Sequence, residues 1–300
     1  MVEHHDAEFN GLACRWLSTD RVRLAITTER GPRVVFCGLD GGRNLLAETP
    51  KFTLPAPNGT LALLGGHRLW YAPEVPEHTY WSDHETVGVA ELPAGARFTA
   101  AIDGAGIEKS MALRLEPGEP TIVVEHRVRN TSQTSLELAP WALTMVPLGG
   151  VTLLPQPQGN VDAAGLLPNR FLTLWPYSDP TDPRLGWGNR IILVRGIPGA
   201  ANKLGYRNAH GWVAHWLDGT LLVKSYDPSL AASHPDNGCN AECYLNDVFM
   251  EVESLGGLVT LAPGETVTHE EIWRFYAGIE SPDTEAVAVE IARRLGLWQD

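Results

Sequence analysis

What most limits the fold of this chain is that its apolar residues recur with a period of two, in short runs, almost to its end. Successive side chains of a strand point to opposite faces, so this pattern demands sheets with one face buried. Val22-Arg23-Leu24-Ala25-Ile26 reads as a strand, and Gly31–Phe36, closed by Gly41-Gly42, reads as a second. Residues 96–102 and 107–115 make another pair around Asp103-Gly104. Over 121–130, Ile122, Val124, His126 and Val128 take one face, and Val123, Glu125 and Arg127 the other. A polar turn over 131–135 leads to 136–146, which predicts a hairpin between these two strands. Further strands are expected at 191–195, 210–216, 220–226, 243–255 and 267–276. The 30 glycines and 22 prolines are scattered as turns rather than gathered into a linker, and no repeat is visible. The expectation is one all-β domain over residues 1–300, with large antiparallel sheets and a core over about 22–276. Ser281-Pro282-Asp283 resembles a helix start, and Ala286, Val289, Ile291, Leu295 and Leu297 form a helical stripe. A short C-terminal helix over about 282–298 follows. Regions 150–190 and 227–242 read as irregular loops of the kind that carry function.

A net charge of −13 argues against nucleic acid or an anionic membrane as partner, since both need a basic footprint. Hydrophobic residues make up 44% and charged residues 20%, which separates the chain from disordered sequences. No run approaches twenty apolar residues, and MVEHHDAEFN lacks the apolar stretch of a signal peptide. The expectation is a cytoplasmic protein in which Cys14, Cys37, Cys239 and Cys243 are free thiols. The C-x3-C at Cys239 and Cys243 is not the C-x2-C of a zinc knuckle and has no second pair. No cofactor is expected. The ten tryptophans favour carbohydrate as the ligand, because aromatic planes stack on sugar C–H faces.

Several blocks resemble the galactose-mutarotase-like superfamily, and within it an uncharacterised bacterial group of aldose-epimerase-like proteins. They are GPRVVFCGLDGGRNLLAE, GGHRLWYAPE at 65–74, Asn130 with APWALTMV at 139–146, NKLGYRNAHGW at 202–212 with TLLVKSYDP, and the long block at 239–275. The resemblance covers residues 22–276 and implies an antiparallel β-supersandwich. One fold hosts many activities, so function is argued from residues.

The resemblance implies mutarotation, in which a base takes the anomeric hydroxyl proton while an acid protonates the ring oxygen. The family's base is a glutamate in a strand ahead of an L-x-P-G-E turn. FMEVESLGGLVTLAPGE has that layout and makes Glu251 the match. Glu253 shares its strand face, where repulsion would raise a carboxyl pKa. The alternative is a solvated charged face. The family's acid is a histidine in an H-x-Y-F element, and this chain has Ala139-Pro140-Trp141-Ala142 there instead. Replacements are His67, His78, His84, His210 and Lys203, with His210 taken beside Glu251 as the catalytic pair. Arg68 matches a family arginine that binds sugar hydroxyls; its alternative is an ordinary pair with Glu74. His67, Glu74, Tyr80, Trp141, Lys203, Glu242 and Glu253 complete the expected sugar contacts. Trp70, Tyr71 and Trp81 join Tyr80 and Trp141 as stacking candidates. A metal set of His67, His78, His84 and Glu242 is a further alternative that spacing does not support.

Three classes stay open: an aldose 1-epimerase-like enzyme, a carbohydrate-binding domain without catalysis, and a lyase or metal-assisted enzyme on the same scaffold.

Overall fold

The computed structural model describes residues 1–298. Two large antiparallel sheets, 11-stranded and 10-stranded among these residues, pack face to face. The first runs from Glu3–Phe9 through Leu12–Ser18, Val22–Thr27, Val34–Leu39, His67–Ala72, Leu136–Pro147, Phe249–Leu255, Ala241–Leu245 and Asn202–Tyr206 to Leu172–Leu174. The second places Thr266–Ala277 centrally, between Thr220–Tyr226 and Thr121–Asn130. A separate hairpin, Glu48–Ala56 with Gly59–Gly65, lies apart from both. Helix Glu285–Arg294 buries Ala288, Val289, Ile291 and Ala292 in a cluster with Leu153, Leu193 and Leu221 of the second sheet.

Alternation does what period-two patterning requires. Ile122, Val124, His126 and Val128 are all fully buried, while Val123, Glu125 and Arg127 are only partly so. Leu69 and Tyr71 of the first sheet meet Met111, Val124 and Trp273 of the second. Val146, Met250 and Val252 do the same with Leu154 and Val213 further along. The opposite side chains of those first-sheet strands face away from the partner sheet.

Four expectations change. The strands at 121–130 and 136–147 do not form a hairpin. Thr121–Asn130 pairs with Ile107–Leu115 and Thr266–Ala277, while Leu136–Pro147 pairs in the other sheet with His67–Ala72 and Phe249–Leu255. The turn between them carries the chain from one layer to the other. Buried Asn130 holds it there, donating to Thr134 O at 2.8 Å and Leu261 O at 2.9 Å. The run expected as one strand over 243–255 is two, Ala241–Leu245 and Phe249–Leu255, paired antiparallel. Asn246 Oδ1 accepts from Val248 N and Phe249 N and closes that turn. An N-terminal hairpin, Glu3–Phe9 with Leu12–Ser18, was not expected, although Asn10-Gly11 with φ of 51° and 76° is its hairpin signal. The helix starts later than expected, with Thr284 rather than Ser281 as its N-cap.

Thr284 Oγ1 accepts from Val287 N at 3.4 Å, a long capping bond. Thr284→Ala should lower stability by about 1 kcal/mol, measured by chemical denaturation. An unchanged midpoint would show that packing alone holds the helix end.

The Gly-Gly before the His67–Ala72 strand has a steric cause. Both residues have positive φ, and an added Cβ would lie 1.9 Å from Ala47 O at Gly65 and 2.0 Å from Val34 O at Gly66. Only glycine lets the chain turn this tightly out of the hairpin and into the sheet.

Candidate functional site

The outward face of the first sheet forms the floor of a cavity of about 520 Å³. Its rows follow from strand register. Arg68 pairs with Leu143, Leu143 with Glu253, Glu253 with Glu242, and Glu242 with Gly205. In the next row Met145 pairs with Glu251, Glu251 with Tyr244, and Tyr244 with Lys203. Trp70 opposes Trp141. Three neighbouring strands thus place Glu251, Glu253, Glu242 and Lys203 on one face. Walls come from Phe52, Leu54 and Leu63 of the separate hairpin, from Glu74 and Tyr80, and from Trp175 and Tyr177.

Two ion-pair groups organise the floor. Arg68 Nη2 donates to Glu251 Oε1 at 2.8 Å, and its guanidinium lies 4.1 Å from the Trp70 ring centre. Lys203 Nζ lies 2.7 Å from Glu242 Oε2, outside good hydrogen-bond angles, and donates to Glu253 Oε2 at 3.1 Å. The ammonium also sits 4.7 Å from the Trp141 ring and 4.5 Å from the Trp175 ring. Trp141 Nε1 donates to the same Glu253 oxygen at 2.7 Å.

Burial pushes the Glu251 carboxyl up; Arg68 opposes this, Glu253 adds to it, and the net direction is upward. Glu242 is raised much further, by burial and by Glu253 and Asp236 against the pull of Lys203. Burial works against the Lys203 ammonium, but Glu242, Glu253 and Glu74 outweigh it and hold its pKa well above the ordinary value. Several buried polar atoms here lack a partner among the described residues: Arg68 Nε and Nη1, Glu253 Oε1 and Glu242 Oε1. Buried polar atoms rarely stay unpaired without a reason such as a ligand or an ordered water.

Arg68, Glu74, Tyr80, Trp141, Lys203 and Glu251 line the cavity, and Glu242 and Glu253 anchor Lys203 beneath it. The partner of Arg68 is Glu251 and not Glu74. The Glu251 strand is fully packed, so the solvated-face alternative falls.

Other expected residues lie elsewhere. His67 points between the sheets because it alternates with Arg68. Its Nε2 lies 2.7 Å from His126 Nε2, and its Nδ1 lies 2.9 Å from Thr144 Oγ1. His126 Nδ1 faces the His269 carbonyl, so that nitrogen carries the proton. By this assignment His67 donates from Nε2 and accepts from Thr144. Beside this pair, Ser254 and Trp273 donate to Glu271, which is also 3.0 Å from Lys224 Nζ. His67 is thus a satisfied core residue between the sheets and does not line the cavity. His210 does not line the cavity either; it stacks on Trp298 with ring centres 4.6 Å apart and contacts Gln156 O. Tyr71 is in the inter-sheet core, and Trp81 packs against Gly104 at a smaller cavity.

The metal set His67, His78, His84 and Glu242 does not assemble. His78 and His84 are exposed, whereas His67 and Glu242 are buried on opposite faces of the first sheet. Among the described residues, one trio has ligand atoms close enough for an ion, His67, His126 and Glu271. The hydrogen bonds above already satisfy that trio, and the 2.7 Å between its two imidazole nitrogens is a hydrogen-bond distance.

Sequence reasoning missed Trp175, Tyr177, Tyr244 and the hairpin residues Phe52, Leu54 and Leu63. The first two sit in an irregular region without periodicity, but Tyr244 could have been found, since it alternates with Glu242.

No family model matches the chain. No curated protein matches it by sequence. Solved structures do match. A TPR-domain-containing protein from Parabacteroides distasonis shares 12% identity at a TM-score of 0.60, over 91% of this chain and 50% of its own. The chain therefore spans half of that protein. A protein named only provisionally as an aldose 1-epimerase, from Klebsiella pneumoniae, matches at 11% identity and a TM-score of 0.60, over 98% of this chain and 86% of its own. A galactose mutarotase related enzyme from Lactobacillus acidophilus matches at 10% identity and a TM-score of 0.53, over 93% of this chain and 99% of its own. Identity this low speaks to fold alone, and on that ground the chain has the antiparallel β-sandwich fold of galactose-mutarotase-like proteins.

Proposed function

We propose that the cavity binds a sugar and that the chain is an aldose 1-epimerase-like enzyme acting at the anomeric centre. One observation carries the reading. Beneath aromatic walls, the floor sets the Arg68 guanidinium, two of whose nitrogens are buried without a partner among the described residues, beside the Glu251 carboxyl, so that donors and an acceptor face the cavity together. A sugar offers hydroxyls that both donate and accept, together with C–H faces that stack on Trp70, Trp141 and Trp175. Glu251 is the base. Its raised pKa makes it a better proton acceptor than an ordinary glutamate, and Arg68 fixes its orientation.

The solved neighbours named for mutarotase or epimerase activity support a sugar ligand through fold. Exchange NMR on a panel of aldoses tests the proposal: anomer interconversion should accelerate for at least one. A second reading, binding without turnover, has its own observation, since no histidine lines the cavity among the described residues. Sugar binding by calorimetry with no acceleration of any aldose would select it.

A further inference from the structure

We infer that the smaller cavity, lined by Trp81, Asp103 and Lys109, is a second ligand site built for a small zwitterion of the α-amino acid class. It is separate from the sugar cavity and does not rest on the anomeric-centre reading.

The cavity measures about 200 Å³ and lies where the first sheet is loosely joined. Strands Val34–Leu39 and His67–Ala72 share a single register pair, Val34 with His67. Arg33, Leu69 and Trp70 border a narrow cleft there, and the cleft shares Trp81, Asp83 and Lys109 with the cavity. The walls are held in place. Gly31 N donates to Asp83 O at 2.9 Å, and Arg33 Nη2 lies 2.6 Å from Asp83 Oδ2. Asn58 Nδ2 donates to Ser82 O at 3.2 Å, and Asn58 Oδ1 accepts from Ser82 N at 2.8 Å. Trp81 packs so closely on Gly104 that an added Cβ would lie 2.1 Å from its ring, which reserves that place for glycine.

What these walls leave unpaired points to an occupant. Lys109 is buried. Its Nζ has Asp103 Oδ2 at 3.3 Å, outside hydrogen-bond geometry, and the Tyr71 ring centre at 5.7 Å. Asp103 Oδ1 accepts from Ala105 N at 3.1 Å and Ile107 N at 2.9 Å, and so is spent on its own turn. Asp103 Oδ2 is buried with no hydrogen-bond partner among the described residues, and so are Trp81 Nε1 and Arg33 Nε. Buried donors and an acceptor rarely stay unpaired without a ligand or an ordered water.

Charge narrows the class. Arg33 and Lys109 balance Asp83 and Asp103, and Glu85 is exposed. A lone anion would face the two carboxylates, and a lone cation the two cationic side chains. A zwitterion avoids both conflicts, since its carboxylate takes the Lys109 donors while its ammonium gives to Asp103 Oδ2. In an α-amino acid these two groups stand one carbon apart, close enough for partners 3.3 Å apart. The four charges then alternate in a low-dielectric corner, where charge-assisted bonds are strongest. Ala100, Ala101 and Ile102 leave apolar contact for a short side chain. The volume is below the roughly 300–1,000 Å³ of drug-sized pockets, which limits the ligand to a few heavy atoms.

Calorimetry on the full chain tests this with alanine, acetate, ethylamine and glycerol as probes. Alanine should bind saturably with a Kd at or below ~1 mM, and acetate and ethylamine, each half of the zwitterion, at least about tenfold more weakly. Asp103→Asn keeps Oδ1 for its turn but loses the charge, and Lys109→Met keeps the stem. Each should weaken alanine at least about tenfold, the loss of one hydrogen bond to a charged group. Glu251→Gln, which alters the other cavity, should leave alanine binding unchanged. No saturable binding of alanine by wild type overturns the inference. So does acetate, ethylamine or glycerol binding as tightly as alanine, and so does alanine binding that Glu251→Gln weakens and Asp103→Asn does not. The comparison of the four probes on wild type decides the matter even if Lys109→Met fails to fold.

Discussion

Lys203→Met is expected to destabilise the protein by about 3–5 kcal/mol near neutral pH, the usual cost of removing one partner from a buried ion pair. Lys203 is buried, and so are Glu242 and Glu253, which oppose each other on adjacent strands. Without the ammonium, two carboxylates face one another out of water. The pH dependence follows from the direction of the shifts. Glu242 is raised above the ordinary 4.5, so its contribution is present at and below that value and is lost as pH rises toward its folded pKa. Removing Lys203 takes away the charge that opposes this rise and extends the loss further up the pH scale. The deficit against wild type should therefore shrink at mildly acid pH, where Glu242 can hold a proton. Lys203 itself is raised, so its own contribution persists below the ordinary lysine value and fades only at higher, alkaline pH. Urea unfolding of both proteins at about pH 5 and about pH 7.5 measures this. An equal deficit at both values would show that the loss is packing of the lysine stem rather than charge.

Glu251→Gln is expected to lower turnover by about 10²–10⁴-fold, the range for a lost general base. The amide oxygen can still accept from Arg68, so the floor keeps its geometry and sugar affinity should change only a few-fold. In wild type the base must be ionised. Its raised pKa places the acid limb of the rate profile above the ordinary glutamate range, with the rate falling as pH drops through it. The variant should lose that limb. A Glu251→Gln protein with wild-type kcat would remove Glu251 from the chemistry.

Much of the fold is legible in the chain because burial on one side of a strand writes a period of two. The strand at 121–130 and those at 191–195 and 220–226 are read with their observed limits. What period two cannot say is which sheet a strand joins. Leu136–Pro147 is buried on both faces, so its alternation carries no direction, and only its pairing with His67–Ala72 and Phe249–Leu255 places it in the first sheet. The site was legible in its charged part. Arg68, Glu251, Glu253, Glu242 and Lys203 alternate on strands, and their convergence follows once register is known. His67 was misread because its strand is buried throughout, and adjacency to Arg68 in sequence means opposition in space. The walls were illegible because loops without periodicity supply them.

The cavity floor and the cavity walls belong to different parts of the molecule. Floor residues stand on central strands whose other faces form the inter-sheet core, so a change there is felt by the whole fold. The hairpin over 48–65 and the segment carrying Glu74 and Tyr80 stand outside the two sheets. Residues 52–60 of the hairpin are exposed or half-buried, so variation there can accumulate at little cost to the scaffold. At those positions ligand preference is separable from foldability, and a library confined to residues 52–60 would be a rational place to change what the protein accepts while its base and its clamp stay fixed.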